Sequence, residues 1–433
     1  MICVVWALIS PGITNGQNKV LAVKIQQNEY FSSVRERAID VVKSGFTAGE
    51  GYGQVWIRDY NTFIELSAAA FPKEVLKERL LVFFRLQGKD GSIVDFYISK
   101  EKAESGDYIH SVLEPRYVGF KNTVETDQES SLLQAVWKYI QCTKDESILN
   151  EAIGRETVAA RMEKALAFLL ENRLSKKYGL LWGATTADWG DVEPEQEWGV
   201  SLTKDSHLSI DVYDNAMFVI ALDDFLKMVP AAGRKWAPLR KSVAKNIRRY
   251  LWDEGNQKFV PHVYLKESPF PAGFDENKIY YHGGTAIAIE AGLLTKAEVK
   301  TAVKKMAENV RASGAASIGL TLYPPYPQGY FKNRQMVPFG YQNGGDWTWF
   351  GGRMIQQLIR FGFVDEAYDL AQPMVERVIR HNGFHEWYSV ENRPKGSGSY
   401  RGEAGVLYKT VGMFQEWAAS QLESYDGLEM FCQ

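Results

Sequence analysis

The chain of 433 residues is 45% hydrophobic and 24% charged, with a formal net charge of −3. Acids and bases are interspersed, which leaves no basic stripe for nucleic acid and no acidic solvating tail. Three cysteines (Cys3, Cys142, Cys432) and six histidines show neither CxxC nor HExxH spacing, so no disulfide framework, zinc site or other cofactor is expected.

The chain begins with a short apolar run at 2–9, too short to span a bilayer. It reads either as the remnant of a secretory signal, without a positive start or an Ala-x-Ala site, or as a first strand. Residues 1–25 are therefore set apart as an N-terminal segment, and 26–433 as one domain. No other stretch reaches transmembrane length. Helical periodicity dominates the remainder. It predicts helices over about 30–44, 60–71, 73–87, 127–142, 147–173, 212–227, 237–252, 284–293, 295–310, 345–361, 365–380 and 402–421. Several links are very short and carry start signals: Pro72 at one helix start, and Asp145, Thr295 and Asp365 at others. No sequence repeat and no Pro/Ser-rich linker divides the chain.

What precedes alternate helices differs. VWIRDYN (55–61) leads into the second predicted helix and NTVETDQES (122–130) into the fourth. TTADWGDVEPE (185–195) and DVYDNAM (211–217) lead into the sixth, and YYHGGTA (280–286) into the eighth. GYQNGGDWTWFGGR (340–353) opens the tenth and HEWYSVENRPKGSGSYRGEAG (385–405) the twelfth. The odd-numbered helices have plain approaches. One arrangement satisfies this alternation: six antiparallel helical hairpins closed into a ring, an (α/α)6 toroid. Its inner helices share one direction, so their decorated N-terminal ends meet at one face. The alternative is an open α-solenoid, whose loops need not converge.

The motifs carry a resemblance. VWIRDY resembles the W-x-R-D segment of the six-hairpin toroid glycosidases. VETDQESSLL resembles the segment that carries the acid Asp in neutral and alkaline invertases; YQNGGDWTW resembles their HNGGSWP. HEWYS resembles their W-P-E-Y-Y segment, which carries the base Glu. Neutral trehalase, processing α-glucosidase and glycogen-debranching domains are more distant likenesses. The resemblance covers most of the chain from about residue 50. TTADWGDVEPE has no counterpart in the invertase pattern, and Gln342 and Thr348 stand where that pattern has His and Pro.

The resemblance implies an inverting exo-acting glycoside hydrolase on a short, α-linked glucoside or related saccharide. Such hydrolysis needs one carboxyl group to protonate the leaving oxygen and another to activate water. The motifs place Asp127 as general acid, with Glu125 as its rival, and Glu386 as general base. Read without the resemblance, Asp127 is a helix N-cap and Glu386 a loop residue paired to Arg393 or Arg401. Of the 12 Trp, 22 Tyr and 22 Phe, most fill the core and some wall the sugar site. Candidate saccharide contacts are Trp56, Arg58, Asp59, Glu125, Trp189, Asp191, Asp214, Asn215, His282, Asn343, Asp346, Trp347, Trp387 and Tyr388. Bland roles compete for some: a bracing ion pair for Arg58, capping for Asp214, Asn215 and Asp346, a structural ring for His282. Residues 396–399 read as a mobile lid or a loose tip. The expected partner is a small saccharide, with no nucleic acid and no membrane span. Other readings are a disaccharide phosphorylase, a toroid epimerase using His381 and His385, a uronate lyase and a non-catalytic glycan binder.

Overall fold

Apolar residues at helical spacing give each predicted helix a face to bury, and each of the twelve is present. The computed structural model describes residues 11–104, 106–198 and 200–429. The helices are α1 Pro11–Gln26, α2 Glu29–Lys43, α3 Ile57–Ser67, α4 Lys73–Arg85, α5 Gln128–Thr143, α6 Val158–Asn172 and α7 Val212–Met228. There follow α8 Gly233–Tyr250, α9 His282–Glu290, α10 Lys296–Ser313, α11 Thr348–Arg360, α12 Val364–Arg380 and α13 Arg401–Glu429.

The ring closes. Helices α3, α5, α7, α9, α11 and α13 pack side by side, each against the next, and α13 returns to α3. Gly405 permits that closure: a Cβ there would lie 2.5 Å from the Phe63 Cα. The remaining helices form the outer layer, with α4 on α5, α8 on α7, α12 on α11 and α2 on α13. The two layers differ in composition as their burial requires. Every residue of α11 from Thr348 to Ile359 is buried, whereas outer α8 buries Trp236, Val243 and Ile247. The start signals hold locally. Thr295 and Glu298 form a capping box, and Asp145 accepts from the Ser147 N–H.

Three features differ from the sequence reading. Helix α1 is a thirteenth helix, laid against α13, with Leu21, Ala22 and Ile25 in the core. Its Pro, Gly and Asn residues obscured the period; the run at 2–9 lies outside the described residues. The single helix expected at 147–173 is a 3-10 turn, a small hairpin and then α6. Gly154, at φ +67°, turns the hairpin. Finally, four short strands flank the mouth of the ring, in the order Val55–Trp56, Phe96–Ser99, Glu114–Phe120, Ile109–Ser111. Within the described residues no helix is long and apolar enough to cross a membrane.

Candidate active site

The N-terminal ends of the inner helices surround a cavity of about 250 Å³. The approach to α3 supplies Trp56, Arg58 and Asp59, and the approach to α5 supplies Glu125. Trp189, Asp191 and Trp198 come from the loop before α7. Tyr341, Gln342, Trp347 and Trp349 come from the approach to and start of α11, and Glu386 and Tyr400 from the approach to α13. Ala48 and Tyr52, from the loop between α2 and α3, and Val200, from the loop before α7, complete the wall. Five of the six decorated approaches therefore converge.

The sixth does not reach the cavity, for a local reason. Asp188 accepts the N–H groups of Gly283 and Gly284, both at 2.7 Å. A carboxylate thus occupies the positive end of α9, where free backbone donors favour it. This pins the Trp189–Asp191 turn to α9 and closes the α9 terminus to a ligand. His282 lies behind it, with Nε2 on Asn309 at 3.1 Å, and burial pushes its pKa down to about 3. His282 is a neutral structural ring, and its candidacy as a saccharide contact is withdrawn.

Glu386 owes its position to a bulge. It lies on the strand His385–Tyr388, which pairs with Pro394–Gly398. His385 faces Gly398 and Trp387 faces Lys395, so Glu386 stands opposite two residues, Gly396 and Ser397. Gly396 has φ +66°, and the Ser397 N–H donates to Glu386 Oε2 at 2.9 Å. The Tyr52 hydroxyl lies 3.4 Å from Oε1. Residues 396–399 are thus no loose lid: most belong to the strand that cradles the carboxylate. Glu386 pairs with neither Arg393 nor Arg401; the latter donates to the Thr47 carbonyl at 2.6 Å. Burial, then the charges of Asp59 and Asp191, push the Glu386 pKa up to about 7, against the Ser397 and Tyr52 bonds. Asp59, bonded by the Tyr400 hydroxyl at 2.7 Å, is raised by burial to about 6.

Asp127 is elsewhere. It is fully buried and does not line the cavity. Its Oδ2 takes the Arg58 Nε at 3.1 Å and the Tyr213 hydroxyl at 2.7 Å. It occupies the N-cap position of α5, yet its side chain caps nothing. The expectation of a proton donor there is corrected: Asp127 is the buried counter-ion of Arg58. Arg58 also contacts Glu125 and donates to the Trp189 carbonyl, so it both braces the wall and lines the cavity. Glu125 lines the cavity while engaged by Arg58 and Gln128. Asp191 is half-buried; its Oδ1 accepts from Gln342 Nε2 at 2.6 Å.

Several other candidates support the walls from behind. Asn215 clamps both backbone groups of Leu181, at 2.7 and 3.0 Å. Asp211, not Asp214, caps α7, accepting the Asp214 N–H at 2.8 Å. Asp214 is buried beside it and off the main cavity. Asn343 bonds both backbone groups of Tyr326. Asp346 takes Arg377 at 3.0 Å and the Ser317 hydroxyl at 2.6 Å. Tyr388 is buried under the Arg377 guanidinium, 3.8 Å from its ring centroid. Trp387 packs against Tyr341 at 6.1 Å rather than lining the cavity. His381 and His385 meet edge-on at 6.4 Å, also away from the cavity.

Tyr52, Trp198, Tyr341, Trp349 and Tyr400 line the cavity without having been singled out. All but Tyr52 and Trp198 lie inside the quoted approaches, so the signal was present but not specific to a side chain. Trp189 is held at the start of α11, stacking on Phe350 at 4.5 Å and meeting Trp347, the residue before the helix, edge-on at 4.8 Å. Among the described residues no group of His, Cys, Asp and Glu has metal-site geometry.

The architecture matches solved structures. A GH63 mannosylglycerate hydrolase from Thermus thermophilus, in complex with glucose, aligns over 87% of this chain and 99% of that one. The TM-score is 0.62 at 14% identity. The fold is that of the toroid glycoside hydrolases. A Klebsiella oxytoca rhamnosidase with rhamnose bound aligns over 88% of this chain and 63% of its own, with TM-score 0.59 and 11% identity. A GH78 rhamnosidase of Bacillus sp. GL1 aligns over 88% and 34%, with TM-score 0.57 and 15% identity. No protein-family model and no curated protein matches the sequence.

Proposed function

We propose that the protein is an inverting glycoside hydrolase acting on the terminal unit of a short, α-linked glucoside or related saccharide, with Asp191 as general acid and Glu386 as general base. One observation carries this reading. Asp191 enters the cavity before α7 and Glu386 before α13, and these helices stand three places apart either way around the ring. Two carboxyl groups from opposite sides are what direct displacement by water requires: one behind the leaving oxygen, one behind the attacking water. Asp127 offers no such pair, being buried against Arg58.

The environments suit the two roles. Glu386 receives only donors, Ser397 N–H and Tyr52 O–H, which favour its ionised form. A pKa near 7 makes it basic enough to take a proton from water near neutral pH. Asp191 has one oxygen held by Gln342, and no described protein group bonds the other. Asp59, Glu125 and Arg58 supply hydrogen-bonding partners for sugar hydroxyls, and the indoles supply faces for the ring. The cavity lies just below the roughly 300–1,000 Å³ of common ligand pockets, which suits one ring held at the end of a chain. A toroid neighbour that holds glucose supports a hexopyranose here.

The test is proton NMR of the protein with maltose, isomaltose, kojibiose, nigerose, trehalose, sucrose and α-mannobioses, with and without phosphate. Fresh product of opposite anomeric configuration without phosphate is the expected result. Product of retained configuration sinks the mechanism, and cleavage only with phosphate moves the protein to the phosphorylases.

A further inference from the structure

The charges around the cavity are unequal. Four carboxylates line it: Asp59, Glu125, Asp191 and Glu386. Among the described residues one cationic side chain lines it, and that one is already engaged. Arg58 contacts Glu125, lies 3.1 Å from Asp127 Oδ2 and donates to the Trp189 carbonyl. Among the described residues no lysine or histidine reaches the wall. Two further buried carboxylates, Asp95 and Asp127, act electrostatically on Arg58 from behind. An anionic group entering this site would find no free cation to pair with, and would meet Glu125 and whichever of Asp59, Asp191 and Glu386 are ionised, in a setting that screens poorly.

The mouth carries the second observation. Trp198 lines the cavity yet is 56% exposed. It stands edge-on to Tyr341 at 6.0 Å, which leaves indole surface uncovered beside the opening. It also belongs to the same loop as Asp191, the residue assigned to the leaving oxygen. A ring on the leaving-group side would therefore lie next to Trp198.

We propose that this site selects uncharged saccharides, and that the leaving half is a second sugar ring seated on Trp198. Glycerate glycosides, uronates and phosphorylated sugars are excluded by charge. The substrate named for the Thermus neighbour, a mannosylglycerate, would then be refused here although the folds correspond. This inference rests on the glycoside hydrolase reading for its assignment of sides, so its test uses binding rather than turnover.

Glu386→Gln protein, which should hold ligand without cleaving it, is titrated calorimetrically with glucose, glucosylglycerol, glucosylglycerate and the α-glucobioses. Glucosylglycerol and glucosylglycerate differ in little but one carboxylate. The expected result is binding of glucosylglycerol and one glucobiose, with glucosylglycerate weaker by roughly 100-fold or more. Equal or tighter binding of glucosylglycerate overturns the proposal, as does absence of any binding by folded protein. Cleavage of anionic glycosides in the NMR assay would also overturn it, while leaving the hydrolase reading intact. Trp198→Ala in the same background should weaken the glucobiose about tenfold and leave glucose unchanged, with Trp198→Phe recovering most of the loss. Equal loss for both ligands, or no loss for either, removes Trp198 from the leaving-group side.

Discussion

Gly396→Ala should cost stability, activity or both, because one methyl group strikes the proposed catalytic base. Two terms follow from the structure. Gly396 has φ +66°, where an L side chain costs about 1–2 kcal/mol. The added Cβ would lie 2.4 Å from Glu386 Oε2 and 2.8 Å from its Cβ. Overpacking of that kind typically costs about 1–3 kcal/mol. If the backbone keeps its path, the folded state loses roughly 2–5 kcal/mol. If Glu386 swings away instead, its bond to the Ser397 N–H is lost and the carboxylate moves. A displacement of order 1 Å at the reacting group costs about 100-fold in rate.

Gly398→Ala is the control. It sits on the same strand without a positive φ, and its Cβ would meet only Glu50 Oε2 at 3.0 Å, the end of an exposed side chain. Urea unfolding and kcat/KM on the cleaved disaccharide are measured for wild type and both variants. Gly396→Ala should fall in at least one measurement, and Gly398→Ala should match wild type. Wild-type values for Gly396→Ala in both would refute the claim that the bulge exists to seat Glu386.

Four further outcomes are expected. Glu386 carries a folded-state pKa of about 7 against an ordinary 4.5, so the native protein holds its proton at pH values where the unfolded chain has lost it. Stability from this site is therefore present at low pH and lost as pH rises through that window, while kcat/KM rises through about 7. Glu386→Gln should melt higher than wild type at about pH 8, gain little at about pH 4, and lose turnover by about 10³-fold or more. Asp191→Asn should abolish cleavage of disaccharides but spare a glycosyl fluoride, whose leaving group needs no proton. Asp127→Asn, which leaves Arg58 half-paired, should depress both substrates alike and unfold at lower urea by about 3–5 kcal/mol. Asp346→Asn breaks a fully buried pair with Arg377 and should cost about the same in urea unfolding, with KM unchanged in the folded fraction. A raised KM with normal stability would restore Asp346 as a saccharide contact.

The ring was legible because its signal is chemical and repeated. A helix approach rich in Trp, Asp and Gly differs from one made of Lys and Ala whatever the tertiary detail, and the difference alternated six times. The core residues followed from the period itself. Less legible were elements whose period is weak or broken: α1, with Pro and Gly in its first turns, and the hairpin at Gly154 inside an apparent long helix. The strand at Pro394–Gly398 was hidden for another reason. A run rich in Gly and Ser reads as a loose tip, yet here Gly396 is fixed by a bulge and a carboxylate.

Roles within the site were harder than its location, and Asp127 shows why. Sequence identifies the pole of the ring to which a residue belongs, because every decorated approach leads to the same face. It does not say how far the side chain reaches, or what sits between it and the cavity. Asp127 and Asp191 both precede inner helices, and both are short acids among polar neighbours. What separates them is Arg58. Its guanidinium lies between Asp127 and the space where a sugar would sit, contacting Glu125 as well. Asp191 meets only an amide, Gln342, and stays at the wall. Ring position then separates the roles further: α7 lies opposite α13, and α5 does not. A motif match by itself cannot carry that distinction, since a neighbouring cation can convert the same acid from proton donor to counter-ion. The assignment of Asp191 rests on that cation and on the opposition of two helices, and the glycosyl fluoride experiment tests both.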